Sequence, residues 1–173
     1  MQKTQDTHRG TSFPTVPVDC LRSPLFPSAP RADSPTMTST PDLSVVIVSY
    51  ECRDHLLTVL DDLAQAGAVF PLEVLVVDNA STDGTVEAVR KRHPWVQLEA
   101  LNENLGFGRA NNRAIRRAHA NTLLLLNPDT RVTAEALLSC TTELRRLPHV
   151  GVLTPRTGVV SVVSRRCGAP FAT

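Results

Sequence analysis

From Leu43 onward, apolar residues fall into short runs separated by amphipathic stretches, and their spacing assigns each segment. Residues 43–48 form a β-branched run suited to a strand buried on both faces. Leu56, Leu57, Leu60, Leu63 and Ala64 repeat at helical spacing, and Gly67 supplies a C-terminal stop. Residues 72–77 read as a second buried strand. Ser81-Thr82-Asp83-Gly84 then opens a short helix with Val86 and Val89 inward. Arg90, Lys91 and Arg92 end that helix, where cations suit the dipole. Residues 96–101 predict a third strand, and 122–126 a fourth. Between them Phe107, Ala110, Ala114, Ile115 and Ala118 mark a helix. Leu137, Leu138, Thr141, Leu144 and Leu147 mark the next helix, ended by Pro148. Residues 150–153 read as a fifth strand, and 159–163, after Gly158, as a sixth. Strands alternating with helices through short connections predict an α/β domain, a mainly parallel sheet with helices on both faces.

Residues 1–41 are different. Seven of the 13 prolines fall there, mixed with Ser and Thr, and they interrupt any periodicity. The segment reads as a disordered leader, and it lacks the continuous apolar stretch of a secretory signal. Two explanations stand side by side, a regulatory tail and a translation start at Met37. The leader holds four Lys/Arg and three Asp/Glu, which leaves 14 of each from Asp42 onward. A net charge of +1 gives no broad basic surface for nucleic acid. No apolar run approaches the ~20 residues of a membrane-spanning helix. Cys20, Cys52, Cys140 and Cys167 are widely spaced, so buried reduced thiols in a cytoplasmic protein are expected rather than a zinc or disulfide framework.

In an open α/β sheet, ligands bind outside the carboxyl ends of the strands. That rule selects residues 49–51, 78–81, 102–112 and 127–129, each a polar segment following an apolar strand. The first of these is Ser49-Tyr50-Glu51, which excludes a dinucleotide glycine fingerprint there; a Walker A loop is also absent. Taken together, LSVVIVSY at 43–50, VLVVDNASTDGT at 74–85, NENLGFGRANN at 102–112 and LLLLNPDT at 123–130 resemble the family 2 glycosyltransferases. The closest resemblance is to the bacterial rhamnosyltransferase-like branch of cell-wall and surface-polysaccharide synthesis, and it covers about residues 42–156.

The resemblance implies a GT-A fold, a Rossmann-like nucleotide-sugar-binding architecture, and an inverting, metal-dependent transfer from a UDP- or dTDP-sugar to a glycan or lipid-linked acceptor. It implies a cytoplasmic protein, free or at the inner face of the membrane. Asp78 and Asn79 would then hydrogen-bond the base and ribose, because a carboxylate accepts from N–H and O–H groups and an amide both donates and accepts. The competing role for Asp78 is a cap on the following helix. Tyr50 would stack near the base, while Glu51 stands where the family usually has Asn and would repel a nearby diphosphate. Gly106 and Gly108 would let backbone approach the ligand. Asn104, Arg109, Asn111 and Asn112 are candidates for sugar or phosphate contacts, with Arg109 equally readable as a solvated helix residue.

Asn127-Pro128-Asp129 occupies the place of the family's DxD motif, of which Asp129 keeps one carboxylate. One carboxylate plus substrate phosphates suffices for Mg²⁺ or Mn²⁺; the alternative is a simple turn. An inverting transferase also needs a general base, usually Asp or Glu. After Asp129 the chain offers only Glu135 and Glu143, both on a predicted amphipathic helix, and His149 beside Pro148. The expectation is a C-terminally truncated donor-binding half, 42–156, followed by a short tail over 157–173. As a fragment of an enzyme it would be inactive alone. The alternative is a non-catalytic nucleotide-sugar-binding remnant or one half of a split enzyme.

Overall fold

The computed structural model describes residues 40–154 and the strand 162–165. Nearly all of the expected leader, and the tail apart from that strand, lie outside the described residues. The elements follow in the order β1 (Leu43–Ser49), α1 (Arg53–Gly67), β2 (Leu72–Asp78), α2 (Thr85–Arg92), β3 (Gln97–Ala100), α3 (Phe107–Arg117), β4 (Thr122–Leu125), α4 (Ala134–Arg146), β5 (Val152–Leu153) and β6 (Val162–Arg165).

They build one sheet in the order β3-β2-β1-β4-β6-β5. The block β3-β2-β1-β4 is parallel. The sheet then reverses: β6 runs antiparallel to both β4 and β5. The expected fifth and sixth strands therefore exist, the sixth described over Val162–Arg165, but they close the sheet as an antiparallel edge. Residues 159–161 lie outside the described residues.

The alternation of side chains along β1 and β2 divides the core in two. Val45, Ile47, Val74 and Val76 face α1, α2 and α4, and pack with Leu56, Leu60, Leu63, Val89, Leu137 and Leu144. Val46, Val48, Leu75 and Val77 face α3, which meets them with Ala110, Ala114 and Ala118. The buried side of α1 is Leu56, Val59, Leu60, Leu63 and Ala66; Ala64, expected inward, is exposed. Leu138 and Phe107 likewise turn outward from α4 and α3. Gly67 ends α1 without a left-handed turn, since the cap residue Ala68 stays right-handed and its N–H reaches the Gln65 carbonyl.

The opening of α2 is set by Asp83 and Gly84. Gly84 is left-handed at the N-cap, and the Asp83 carboxylate accepts from the Thr85 N–H. In α4, Thr133 caps the helix through the Ala136 N–H. Thr133→Ala is expected to cost about 1 kcal/mol, read as a lower urea midpoint at unchanged slope.

At the amino ends of the strands a carboxylate is buried. Ser44 and Glu73 are register partners on β1 and β2, both inside the sheet. Glu73 accepts from the Ser44 hydroxyl at 2.5 Å, the His119 N–H at 2.5 Å and the Gln97 amide at 3.0 Å, and pairs with His119 Nδ1 at 2.9 Å. Burial pushes the Glu73 carboxyl up, yet these donors and the His119 charge outweigh it and hold it below the usual range.

Candidate functional site

The opposite, carboxyl edge gathers four loops, because register aligns the strand ends. Ser49 is level with Asp78, Asp78 with Ala100, and the Leu126 N–H continues β4 by bonding the Val46 carbonyl. Asp78 and Asn79 therefore meet the 102–106 loop on one side and face the β1 and β4 ends on the other.

Asp78 is 1% exposed. Its Oδ1 accepts from the Ser49 hydroxyl at 3.0 Å and the Ser81 hydroxyl at 2.6 Å, and its Oδ2 from the Ser81 N–H at 2.9 Å. A carboxylate offers about four acceptor positions, so three are spent on the protein. Asp78 stitches β1 to the turn after β2 and does not cap α2. Asn79, 3% exposed, is used just as fully. Its amide donates to the Asn104 Oδ1 at 2.7 Å and its carbonyl accepts from the Leu105 N–H at 2.9 Å. Asn104 Oδ1 also takes the Gly106 N–H at 2.9 Å. These bonds clamp the loop before α3. Gly106 has φ 77° and ψ 163°, a conformation close to glycine-only.

On α3, Arg109 is exposed and its Nε donates to the Leu105 carbonyl at 2.9 Å. Asn112 is exposed, whereas Asn111 is buried with its amide on the Phe107 carbonyl. Phe107 (58% exposed) and Tyr50 (53%) stand as large aromatics in solvent.

Glu51 ties its loop to the turn after β2. It takes a left-handed φ of 49°, and its Oε1 accepts from the Thr82 N–H at 2.7 Å and the Thr82 hydroxyl at 3.1 Å. The Glu51 N–H donates to the Ser81 hydroxyl at 3.0 Å. Beside it, the Arg53 N–H donates to Asp83 Oδ2 at 3.0 Å. Burial pushes the Asp83 carboxyl up, but the Thr85 hydroxyl and the N–H groups of Arg53 and Thr85 prevail and lower it. Sequence reading could not see this seam, which forms only where two distant loops touch.

Asp129 is exposed, in a turn closed by the Thr130 N–H on the Asn127 carbonyl at 3.2 Å. Two residues on, Arg131 grips Asp62 of α1 through Nε (2.7 Å) and Nη2 (2.9 Å), with the Val132 N–H also on Asp62. The Arg131 hydrogen bonds lower the Asp62 carboxyl. This anchor borders a recess of about 500 Å³ between α1 and the start of α4. Asp78 ends β2 and Asp129 follows β4, parallel strands on either side of β1, so both stand at the carboxyl edge, with Cys52 just beyond the end of β1. Burial raises its thiol first, and the charges of Asp83, Asp78 and Asp129 raise it further. Cys52 and Cys140 are half-buried rather than buried, and both are free.

Among the described residues, no group of three or more His, Cys, Asp or Glu side chains is placed to hold a metal ion. No described helix is long and apolar enough to cross a membrane.

The family model described as "Glycosyl transferase family 2" matches residues 44–166. An N-acetylglucosaminyl-diphospho-decaprenol L-rhamnosyltransferase of Mycobacterium tuberculosis is 33% identical over 124 residues, covering 65% of this chain and 40% of that protein. The succinoglycan biosynthesis protein ExoO of Rhizobium meliloti is 33% identical over 105 residues, covering 60% of this chain and 30% of that protein. Among solved structures, S. aureus TarS in complex with UDP-GlcNAc has a TM-score of 0.56 at 28% identity, covering 65% of this chain and 33% of that one. The mannosyltransferase PcManGT of Pyrobaculum calidifontis, in complex with GDP-Man and Mn²⁺, has a TM-score of 0.56 at 30% identity, covering 68% of this chain and 36% of that one. The chain thus spans two fifths or less of the length of these relatives.

Proposed function

Because this chain belongs to glycosyl transferase family 2 and has the GT-A fold, we propose that it holds a nucleoside diphosphate sugar at the carboxyl edge of its parallel sheet, as the donor side of an inverting transfer to a glycan or lipid-linked acceptor. The observation that carries this reading is the edge itself. One set of strand ends brings a clamped loop with Asn104 and Gly106, an exposed Tyr50 and an exposed Asp129 to the same side.

Strand order orients the donor. The seam of Glu51, Ser81 and Thr82 lies between β1 and β2, and Asp129 lies beyond β1 at the end of β4. The base therefore belongs over β1 and β2 with Tyr50 against its face, and the diphosphate reaches across β1 toward β4. Asp78 and Asn79 act from below, holding the loops that form the floor. The exposed guanidinium of Arg109 and the side chain of Asn112 are available to sugar or phosphate.

A single exposed carboxylate fits a Mg²⁺ or Mn²⁺ ion shared with substrate phosphates, and does not fit a preformed protein cage. When bound, the ion would offset the charge that builds on the departing diphosphate. The role of this chain is to present the Asp129 oxygens in a fixed turn, held from behind by Arg131 and Asp62.

Calorimetric titration with UDP, dTDP and GDP, with and without Mn²⁺, tests the reading. Binding is expected, and tighter with metal. Asp129→Ala is expected to remove the metal-dependent gain entirely while leaving metal-free binding and the melting temperature nearly unchanged. Metal enhancement that survives in Asp129→Ala would overturn the assignment of that carboxylate.

A further inference from the structure

Helix α3 carries four arginines and no acidic residue over its 11 positions. Its buried residues are Ala110, Asn111 and Ala114. Arg109, Arg113 and Arg116 follow one another at intervals of four and three, so they share one stripe. At about 3.6 residues per turn that stripe stands opposite Asn111 and Ala114, with Arg117 at its flank. All four arginines are exposed. Among the described residues one carboxylate pairs with them: Glu99 of β3 takes Arg113 Nε at 2.8 Å and Arg117 Nη1 at 3.1 Å. Arg109 engages the Leu105 carbonyl through Nε, and Arg116 forms no ion pair among the described residues. Glu103, exposed in the preceding loop, is the next acid along the chain, and none follows it until Asp129. The stripe therefore keeps a positive excess. Arginines of the helices on the other face of the sheet are matched differently. Arg92 has Asp61, Arg145 has Asp42 and Arg146 has Glu143, each a carboxylate of its own.

Resting on the lipid-linked acceptor in the reading above, we propose that the arginine stripe of α3 is a docking surface for an anionic phospholipid bilayer. Clustered arginines on one amphipathic helix suit a surface of anionic headgroups, and each guanidinium can take phosphate oxygens in a fork. The pairs with Glu99 are exposed and weak, so Arg113 and Arg117 can exchange that carboxylate for phosphate at little cost. A nucleic-acid duplex, held through many phosphates, needs a wider basic field than a chain of net charge +1 offers. An acceptor carried in a bilayer asks less, only that the protein stay at headgroup level. The placement agrees. The 102–106 loop runs directly into α3, so a bilayer against the stripe lies beside the carboxyl edge where the donor is proposed to sit.

Co-sedimentation of the full chain with vesicles tests this, comparing pure phosphatidylcholine with vesicles holding about 30% phosphatidylglycerol. A fluorescent RNA oligomer is titrated in parallel. Binding is expected to the anionic vesicles and not to the neutral ones, and is expected to be lost between about 0.1 and 0.5 M salt. Arg113→Gln combined with Arg116→Gln is expected to weaken vesicle binding about tenfold or more, since each cation near the surface contributes roughly fivefold. Arg109 is left in place because it also borders the donor site. Arg145→Gln combined with Arg146→Gln removes the same charge from the other face of the sheet, and is expected to change vesicle binding less than about twofold. Melting temperatures within about 2 °C of wild type check that both variants fold. Arg116→Glu alone, which leaves the Glu99 pairs intact, carries the test if the double variant is destabilised. Equal binding to neutral vesicles, an equal loss in both double variants, or capture of RNA without capture of vesicles overturns the proposal. UDP titration without lipid reads the donor site separately. UDP binding with no vesicle binding removes the docking surface and leaves the donor reading; vesicle binding with no UDP binding does the reverse.

Discussion

Glu73→Ala is expected to lower stability by about 3–4 kcal/mol, because it strands buried donors rather than merely deleting a charge. The Ser44 hydroxyl and the His119 N–H would lose their acceptor, and Ala120, whose N–H also leans on Ser44 and Glu73, is 1% exposed. The His119 ring is mostly in water, so its loss of a partner adds little. Urea unfolding followed by circular dichroism measures the change, and Glu73→Gln should retain roughly half of the loss. The same carboxylate fixes a pH dependence. Glu73, Asp62 and Asp83 all titrate below their ordinary range in the folded protein. A carboxyl lowered on folding adds stability above its unfolded pKa of about 4. That contribution drains away as pH falls through the lower folded values. The joint contribution of these three carboxyls is therefore level above about pH 5 and falls steadily below about pH 4, with a shallower fall in Glu73→Gln. His93, held below its ordinary range chiefly by burial, adds its own loss of stability as pH falls through its unfolded value of about 6.5. A fall of equal steepness in that variant would show that Glu73 is not one of the groups responsible.

Asp78→Ala is the second large effect, and it joins stability to ligand binding. Three hydrogen bonds to a carboxylate vanish at a position 1% exposed, at an expected cost of about 2–3 kcal/mol. The Ser81 hydroxyl is also the acceptor for the Glu51 N–H, so the seam between the two loops loosens with it. Nucleotide affinity is expected to drop at least 10-fold even at temperatures where the variant is fully folded. Thermal unfolding and titration on the same preparation separate the two readouts. Full affinity in a destabilised Asp78→Ala would mean that the loops hold their shape without the strand-end carboxylate.

Much of the fold was legible because β1, β2 and β4 are apolar runs, interrupted inside only at Ser44 and Glu73, that a sheet covered on both faces explains. The antiparallel edge was not, since Val162–Arg165 pairs with Thr122–Leu125 far back in the chain and no local pattern sets that direction. Phe107 misled for a related reason. It shares the helical spacing of Ala110 and Ala114, but as the first residue of α3 it lies in solvent. The site divides in the same way. That the strand ends are polar, and that Asp129 stands in a turn, could be read from order along the chain. The burial of Asp78 depends on its being level with Ser49, and the use of Glu51 depends on a turn 31 residues later. Glu73 carried a signal that went unread: it is the single charged residue within 72–77, and a carboxylate in such a run must have partners.

The alanines of α3 have a mechanical consequence. Methyl groups at Ala110, Ala114 and Ala118 meet β1 and β2, with Ile115 packed partly buried beside them, so the helix lies close on the sheet. Its N-terminal loop is locked again by Asn79 and Asn104. That side of the cleft is a fixed jaw. The turn carrying Asp129 is held as well, by the Arg131–Asp62 pair, the Val132 N–H on Asp62 and the Thr130 N–H on the Asn127 carbonyl. On the donor reading proposed above, a nucleotide entering at this edge would meet a surface already in its final shape.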